Sequence, residues 1–314
     1  MVLLQLSQSQ LTLIEQCPRK FQYTYLDQLT TPISPDQQEA LTRGSQVHHL
    51  MQQHELQIPP RGPTASDHNL ALPPTSDPID HPNHQTHLYQ MAEALAAVVP
   101  DLDDSTVFRQ SEYRLNLEWS DVLLTVIYDL LVLDKSTAHI FDWKTYFNPP
   151  NPKKLRQRLT NHWQTKLYPF VLVETSDYSP DTIELSYWFV KHKTDGNDLP
   201  SEPTLPKTPT ILDSEGDPQA LFEAECITFP YSDRLHQQTK QDLAHIIEQV
   251  QNWLEEYNLD QPLPKVDESQ GICSHCPFRM RCDRIDHKDH QANWESLADI
   301  TAIPEIQPFP LDPQ

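Results

Sequence analysis

Two aspartates and a lysine stand in stretches of sequence that are otherwise apolar. Asp129 follows the run Val122-Leu123-Leu124-Thr125-Val126-Ile127-Tyr128, and Asp142 and Lys144 lie within Ile140-Phe141-Asp142-Trp143-Lys144-Thr145. The first run is apolar at successive positions and reads as a central, buried strand. In the second, period-two alternation sends Asp142 and Lys144 to one face and Phe141 and Trp143 to the other. A short turn around Lys135-Ser136-Thr137 folds the two runs side by side. Charges inside an apolar sheet are costly unless they pair with each other or bind a cation. Two carboxylates next to an ammonium can do either, and the second use would be metal-assisted hydrolysis, in which a divalent ion makes a nucleophile from water near neutral pH. The three letters alone prove little, because Asp286-His287-Lys288 repeats the pattern in a polar segment.

Other residues could join this group. His48 lies in Arg43-Gly44-Ser45-Gln46-Val47-His48-His49-Leu50-Met51, a helical stretch whose Val47, Leu50 and Met51 form an apolar side, and it could supply a nitrogen ligand. Gln164 and Tyr168 are four apart, so they share a helix face that can turn back over the carboxylates. Lys153, Lys154, Arg156 and Arg158 form the densest basic cluster, at the start of the same helix, and could steer a phosphate backbone. A second constellation is thiol-based: Cys17 near one end, and Cys273, Cys276 and Cys282 near the other in a C-x2-C-x5-C run. Such spacing is that of metal ligands, either to Zn²⁺ or to an iron–sulfur cluster, and spacing does not choose between them. Cys226 reads as a core strand residue.

The elements that must position these groups form a mixed α/β pattern. A helix opening with Ser9 as N-cap is ended or restarted by Pro18 and followed by a helical run from Arg19 to Leu26. After a helix from Gln85 to Val99 come three strands, Glu112 to Trp119, Val122 to Asp134 and His139 to Tyr146. A helix from Lys153 to Glu174, kinked at Pro169, leads to strands at Ile183 to Val190 and Ala224 to Phe229, then to a long amphipathic helix from Ser232 to Tyr257. We expect one domain over residues 1–288, with 57–87 a flexible insertion and 192–220 a long loop, both rich in turn formers, and a polar tail over 289–314.

Bulk properties narrow the class further. The chain has 314 residues and a formal charge of −22, so it does not announce a basic nucleic-acid surface overall. Screening over about 8 Å still lets a local basic groove act on its own. There is no basic, apolar leader and no run of about 18 apolar residues, which points to a cytoplasmic protein. Five cysteines, an odd number, argue against a disulfide framework. With only five glycines and no Gly-x-x-x-x-Gly-Lys-Ser/Thr run, any unwinding of a duplex must come from a partner.

Taken in order, Cys17-Pro-Arg-Lys-Phe, Arg43-Gly-x-x-Val-His48, Asp129, Asp142-x-Lys144-Thr145, Gln164-x-x-x-Tyr168 and the terminal cysteines resemble the PD-(D/E)XK nuclease superfamily. The likeness is to its RecB-like branch with a C-terminal cysteine cluster, similar to CRISPR adaptation nucleases and to the nuclease domains of recombination helicase complexes. The resemblance implies a restriction-endonuclease-like mixed sheet flanked by helices. It implies a metal-dependent DNA nuclease, an exonuclease by preference, acting in DNA repair, recombination or processing on single-stranded or free-ended DNA, with a helicase as partner. By the same resemblance His48, Asp129, Asp142 and the backbone carbonyl of Trp143 would hold Mg²⁺ or Mn²⁺, and Lys144 would position or activate water. Gln164 and Tyr168 would support the site and the DNA path. Cys17, Cys273, Cys276 and Cys282 would hold a 4Fe–4S cluster joining the two ends of the chain, with Zn²⁺ as the alternative. One departure is Val126, where members often carry a glycine three residues before the first aspartate. The competing reading is an inactive nuclease-fold platform that binds DNA or a partner, whose mark would be missing acids or lysine; here that set is complete.

Overall fold

The structure is a computed structural model that describes residues 4–31, 33–57, 82–99, 107–145, 151–192 and 221–284. Most of the expected insertion, nearly all of the long loop and the whole tail therefore lie outside the described residues.

The sheet grows from two hairpins. β2 (Phe108–Trp119) and β3 (Val122–Leu133) are joined by Ser120 and Asp121, which have φ of 46° and 65°. Two positive-φ residues make the tight turn whose twist matches that of the strands it joins. It fixes the register, with Trp119 opposite Val122 and the pairing running to Phe108 opposite Leu133. β4 (Ala138–Lys144) returns after Asp134 to Thr137, where the Asp134 amide donates to the Thr137 carbonyl at 2.9 Å. This pairing runs only from Leu133 opposite Ala138 to Leu130 opposite Phe141, so the strands part just before Asp129 and Asp142. β5 (Ile183–His192) adds parallel to β4, and β6 (Phe222–Pro230) adds antiparallel to β5. A short strand that the sequence reading passed over, β1 (Leu4–Leu6), pairs parallel with β3, where Leu6 is fully buried. Three residues carry too little alternation to be read as a strand without the partner they pair with.

Helices cover both faces. Val47 and Met51 of α3 (Pro35–Glu55) and Leu88, Met91 and Leu95 of α4 (Pro82–Ala96) pack on Leu130, Val132, Phe141 and Trp143. The opposite face packs on α1 (Gln8–Gln16), α5 (Pro152–Asn161), α6 (Trp163–Glu174) and α7 (Asp233–Tyr257). Between α1 and α3 the chain forms α2 (Pro18–Phe21) and a π-helical turn, Gln22–Leu26. Trp163, Tyr128, Tyr187 and Phe170 are fully buried there. Burying such side chains contributes about 1.5–3 kcal/mol each.

Three local expectations are corrected. The first helix is capped by Ser7, whose amide is held by the Gln10 side chain at 2.8 Å, and Ser9 lies inside the helix. The helix expected from Lys153 to Glu174 is two helices. It breaks at His162, which is extended at φ −70°, ψ 140° and whose Nδ1 accepts from the Gln164 amide at 3.3 Å, while Pro169 lies within α6. Local capping by an imidazole ends the run earlier than the proline does. Cys226 lies on β6, half-buried, 3.3 Å from the Thr228 hydroxyl, and not in the core. α4 also begins at Pro82, inside the expected insertion, a residue type well suited to a first helical turn.

Candidate metal centre

The acids are brought into one row by the two hairpins. Continuing the registers just given places Glu112 opposite Asp129 on β2, and Asp142 opposite Asp129 on β4. The row lies where regular pairing lapses. Val122, Leu124, Val126 and Tyr128 bury against α6, but Leu130 and Val132 bury against α3 and α4, so the buried face of β3 changes at Asp129. Glu112 has φ 49°, a conformation that non-glycine residues adopt at a cost of roughly 1–3 kcal/mol and that clusters at functional sites. Strict alternation could not foresee this change of face.

Because β3 and β4 part here, the Trp143 amide donates to Asp129 Oδ2 at 2.7 Å instead of to a strand carbonyl. Asp129 Oδ1 is left facing His48 Nδ1 at 3.5 Å, with Glu112 Oε1 at 3.8 Å from the same nitrogen. His48 arrives from α3 in the other layer, and its Nε2 lies 3.0 Å from the Trp143 carbonyl. A carbonyl only accepts, so Nε2 carries a hydrogen and Nδ1 is the nitrogen turned toward the acids, a ligand atom once its own proton is lost. The carbonyl of Trp143, expected to assist a metal, thus orients the histidine. Ligand atoms of His48, Glu112 and Asp129 all lie within 4.8 Å of one another.

On the α6 side, Asp142 is almost fully buried. Its Oδ1 accepts from Gln164 Nε2, its Oδ2 forms an ion pair with Lys144 Nζ at 2.7 Å, and Lys144 donates to Gln164 Oε1 at 3.1 Å. Lys144 also lies 5.4 Å from the centre of the Tyr187 ring, close enough for a cation–π contact. Outside its ion pair, Asp142 Oδ2 accepts no hydrogen bond. Tyr168 packs edge-on against Tyr128 and accepts the Tyr128 hydroxyl on its carbonyl at 3.0 Å. It thereby docks the helix that carries Gln164.

So many acids in one place reshape the titration. Burial lowers the His48 imidazole, but Asp129, Glu112 and Asp142 outweigh it and hold it up at about 9. Burial raises Asp129 to about 8, with Asp142 and Glu112 adding to the rise and His48 and Lys144 opposing it. In the metal-free protein this corner therefore retains protons at neutral pH. The two carboxylates and the imidazole that converge here, with Asp142 on the neighbouring strand, fit a hard divalent cation. Glu112 was not singled out from the sequence, although the turn at Ser120-Asp121 could have found it by counting back along the hairpin.

The cysteine residues gather elsewhere. Cys17, Cys273, Cys276 and Cys282 line one pocket, between the start of α2 and the irregular segment 265–284. Their sulfurs do not converge as closely as the ligand atoms of the acid group: among the described residues, no three of them lie within 4.8 Å of one another. Burial raises the Cys276 thiol above its ordinary value. The two chain ends are also joined without any metal. Arg19 Nε donates to the Leu263 carbonyl at 2.6 Å, the Leu263 amide donates to Gln22 Oε1 at 2.9 Å, and the Tyr257 hydroxyl donates to Asp27 at 2.7 Å.

In the basic cluster, Arg156 donates to the Thr228 carbonyl at 3.1 Å and lies over the Phe229 ring, whereas Lys153, Lys154 and Arg158 are exposed. Among the described residues no helix is long and apolar enough to cross a membrane.

Comparison with known proteins bears on this geometry. No curated protein matches the chain at a significant level. Among solved structures, a protein from Eubacterium rectale provisionally named an exonuclease is similar at 12% identity and a TM-score of 0.47, over 90% of this chain and 89% of that one. The family model for the PD-(D/E)XK nuclease superfamily matches residues 5–283, nearly the whole described sheet and both constellations. The chain belongs to the PD-(D/E)XK nuclease superfamily.

Proposed function

We propose that the protein is a metal-dependent deoxyribonuclease that hydrolyses phosphodiester bonds, working as an exonuclease on single-stranded or free-ended DNA in repair, recombination or processing in the cytoplasm. The observation that carries this reading is the joining of two half-sites at the point where β3 and β4 separate: the His48–Glu112–Asp129 group and the Asp142–Lys144–Gln164 clamp. Mg²⁺ or Mn²⁺ would be held by Asp129, Asp142 and Glu112 with Nδ1 of His48, and when bound it would supply an activated water and neutralise charge on the phosphoryl group. The protein's own contribution is orientation. Gln164 fixes Asp142 through Oδ1 and Lys144 pairs with its Oδ2, while the Trp143 amide holds Oδ2 of Asp129 and leaves its Oδ1 toward His48. Lys144, held by Asp142 and Gln164, presents its remaining ammonium hydrogen to water or to a phosphoryl oxygen, preorganised stabilisation of the kind that dominates such reactions.

Lys153, Lys154 and Arg158 would steer the DNA backbone, with Arg156 anchoring their helix to β6. A helicase partner would supply any unwinding. For the cysteines, the reading is a 4Fe–4S cluster. A tetrahedral zinc, with bonds of about 2.3 Å, would draw its four sulfurs to within about 4 Å of each other. A four-iron cube would hold its four thiolates farther apart, and zinc is the alternative.

The test is degradation of end-labelled DNA by purified protein with Mg²⁺ or Mn²⁺. Asp142→Asn and Lys144→Met should each abolish it while the circular dichroism stays unchanged; undiminished cleavage by both variants would sink the assignment. Iron analysis and the visible colour of anaerobically purified protein decide between the cluster and zinc.

A further inference from the structure

Arg284 has no part in the reaction just described, yet it contacts a sulfur of the cysteine pocket directly. Its Nη1 lies 2.7 Å from the Cys273 sulfur and donates to it. On its other edge, Nε lies 3.1 Å from Glu268 Oε1, so the guanidinium is held on two sides and its side chain is only 14% exposed. Glu268 is itself 68% exposed, and water screens much of its charge, so Arg284 remains a net cation toward the sulfur. The remainder of the lining agrees in sign. Lys20, Lys265 and Arg279 also line the pocket, and among the described residues no Asp or Glu does. On a chain with a formal charge of −22, such a lining suits an anionic occupant, and a metal centre bound by four thiolates is one.

We propose that Arg284 tunes an iron–sulfur cluster at this site, its hydrogen bond to Cys273 raising the reduction potential of the cluster. The inference rests on the cluster reading given above. Its physical basis is that reduction adds an electron to an already anionic centre. A donor and a positive charge at a ligand sulfur withdraw electron density and stabilise the reduced form more than the oxidised form; hydrogen bonds to sulfur are among the levers that set such potentials. Arginine suits this task because its planar fork can serve the sulfur and a carboxylate at once without losing its charge.

The experiment is a redox titration of the anaerobically purified full-length protein with a one-electron reductant and mediators, following the visible thiolate-to-iron charge-transfer band. Arg284→Met keeps the length of the side chain but removes both donor and charge. It should bind iron to the wild-type stoichiometry yet shift to a more negative midpoint. At the wild-type midpoint its ratio of reduced to oxidised cluster should fall about tenfold, equivalent to 59 mV for one electron. Arg284→Gln, which keeps a donor but loses the charge, should shift part of the way. An unchanged midpoint in Arg284→Met overturns the proposal and leaves the cluster in place. If Arg284→Met assembles no cluster, Arg284→Gln carries the measurement, and an unchanged midpoint there overturns it equally. Wild-type protein without iron or the visible band overturns the cluster reading itself, and this inference with it.

Discussion

The carboxylate centre and the cysteine pocket solve the same problem, converging several ligands, by different means. Three of the acids stand on neighbouring strands whose registers are set by two hairpins, and each buried acid is held by a specific partner: Asp129 by the Trp143 amide, Asp142 by Gln164 and Lys144. The C-terminal side of the cysteine pocket stands on short 3-10 turns, Glu268–Gln270 and Ile272–His275, and Cys273, Cys276 and Cys282 are half-buried while Cys17 is buried. A rigid sheet can hold a site preformed before any metal arrives, whereas turns need the ligand to complete them. The difference predicts where each perturbation is felt.

The largest effect should fall on chemistry at the sheet. Asp142→Asn keeps the shape of the side chain and should lower the rate of DNA cleavage by about a thousandfold, the scale of losing a central charge-stabilising group. The melting temperature should change little. If activity survives, the preformed centre is not the catalytic one. Glu112→Gln should weaken Mn²⁺ binding by about tenfold or more in a calorimetric titration, on the scale of losing one supporting group at a metal site. Unchanged affinity would return Glu112 to the role of an ordinary strand residue.

At the other region, Gln22→Ala removes the acceptor of the buried Leu263 amide, and an unsatisfied group of this kind costs about 1–3 kcal/mol. That loss, read by denaturant unfolding, should exceed the effect of Cys282→Ser on the same measurement. The direct bonds from Arg19 and Gln22 already fasten the chain ends, so loss of a cysteine should loosen residues 266–284 alone, seen as local hydrogen exchange. Global destabilisation by Cys282→Ser would mean that the pocket, and not the bonds beside it, joins the ends.

The smallest effect is in the pH dependence. His48 is held at about 9, above its unfolded value of 6.5, so its contribution is fully present below pH 6.5 and is lost as the pH rises through 9. Asp129, raised from 3.8 to about 8, has the same sign: its protonated form is favoured on folding, and that contribution fades between those values. Metal-free protein should therefore melt at a lower temperature at pH 9 than at pH 6.5. Added Mn²⁺ should stabilise more at the higher pH, because binding displaces the retained protons. A metal effect independent of pH would show that these groups are not the ligands.

Much of the core was legible in the sequence because it is local. The long helix starting at Ser232 and the central strands followed from periodicity, and Asp142 and Lys144 were correctly placed on one face. The misreadings were also local in cause. Nothing in period-two alternation signals the change of face at Asp129, and a histidine that caps the next helix is easily passed over in favour of a proline seven residues later. β1 became a strand only through pairing with β3, a partner more than a hundred residues away.

The sequence by itself determined the row of acids. A two-residue turn at Ser120-Asp121 and a four-residue turn from Asp134 to Thr137 set strand registers through backbone geometry, and with them the alignment of Glu112, Asp129 and Asp142. Only the tertiary structure decided what meets that row. His48 comes from a helix on one face of the sheet and Gln164 from a helix on the other, and Arg284 meets Cys273 across an irregular segment. No local rule fixes those meetings, because they depend on how whole apolar faces pack rather than on the spacing of residues along the chain.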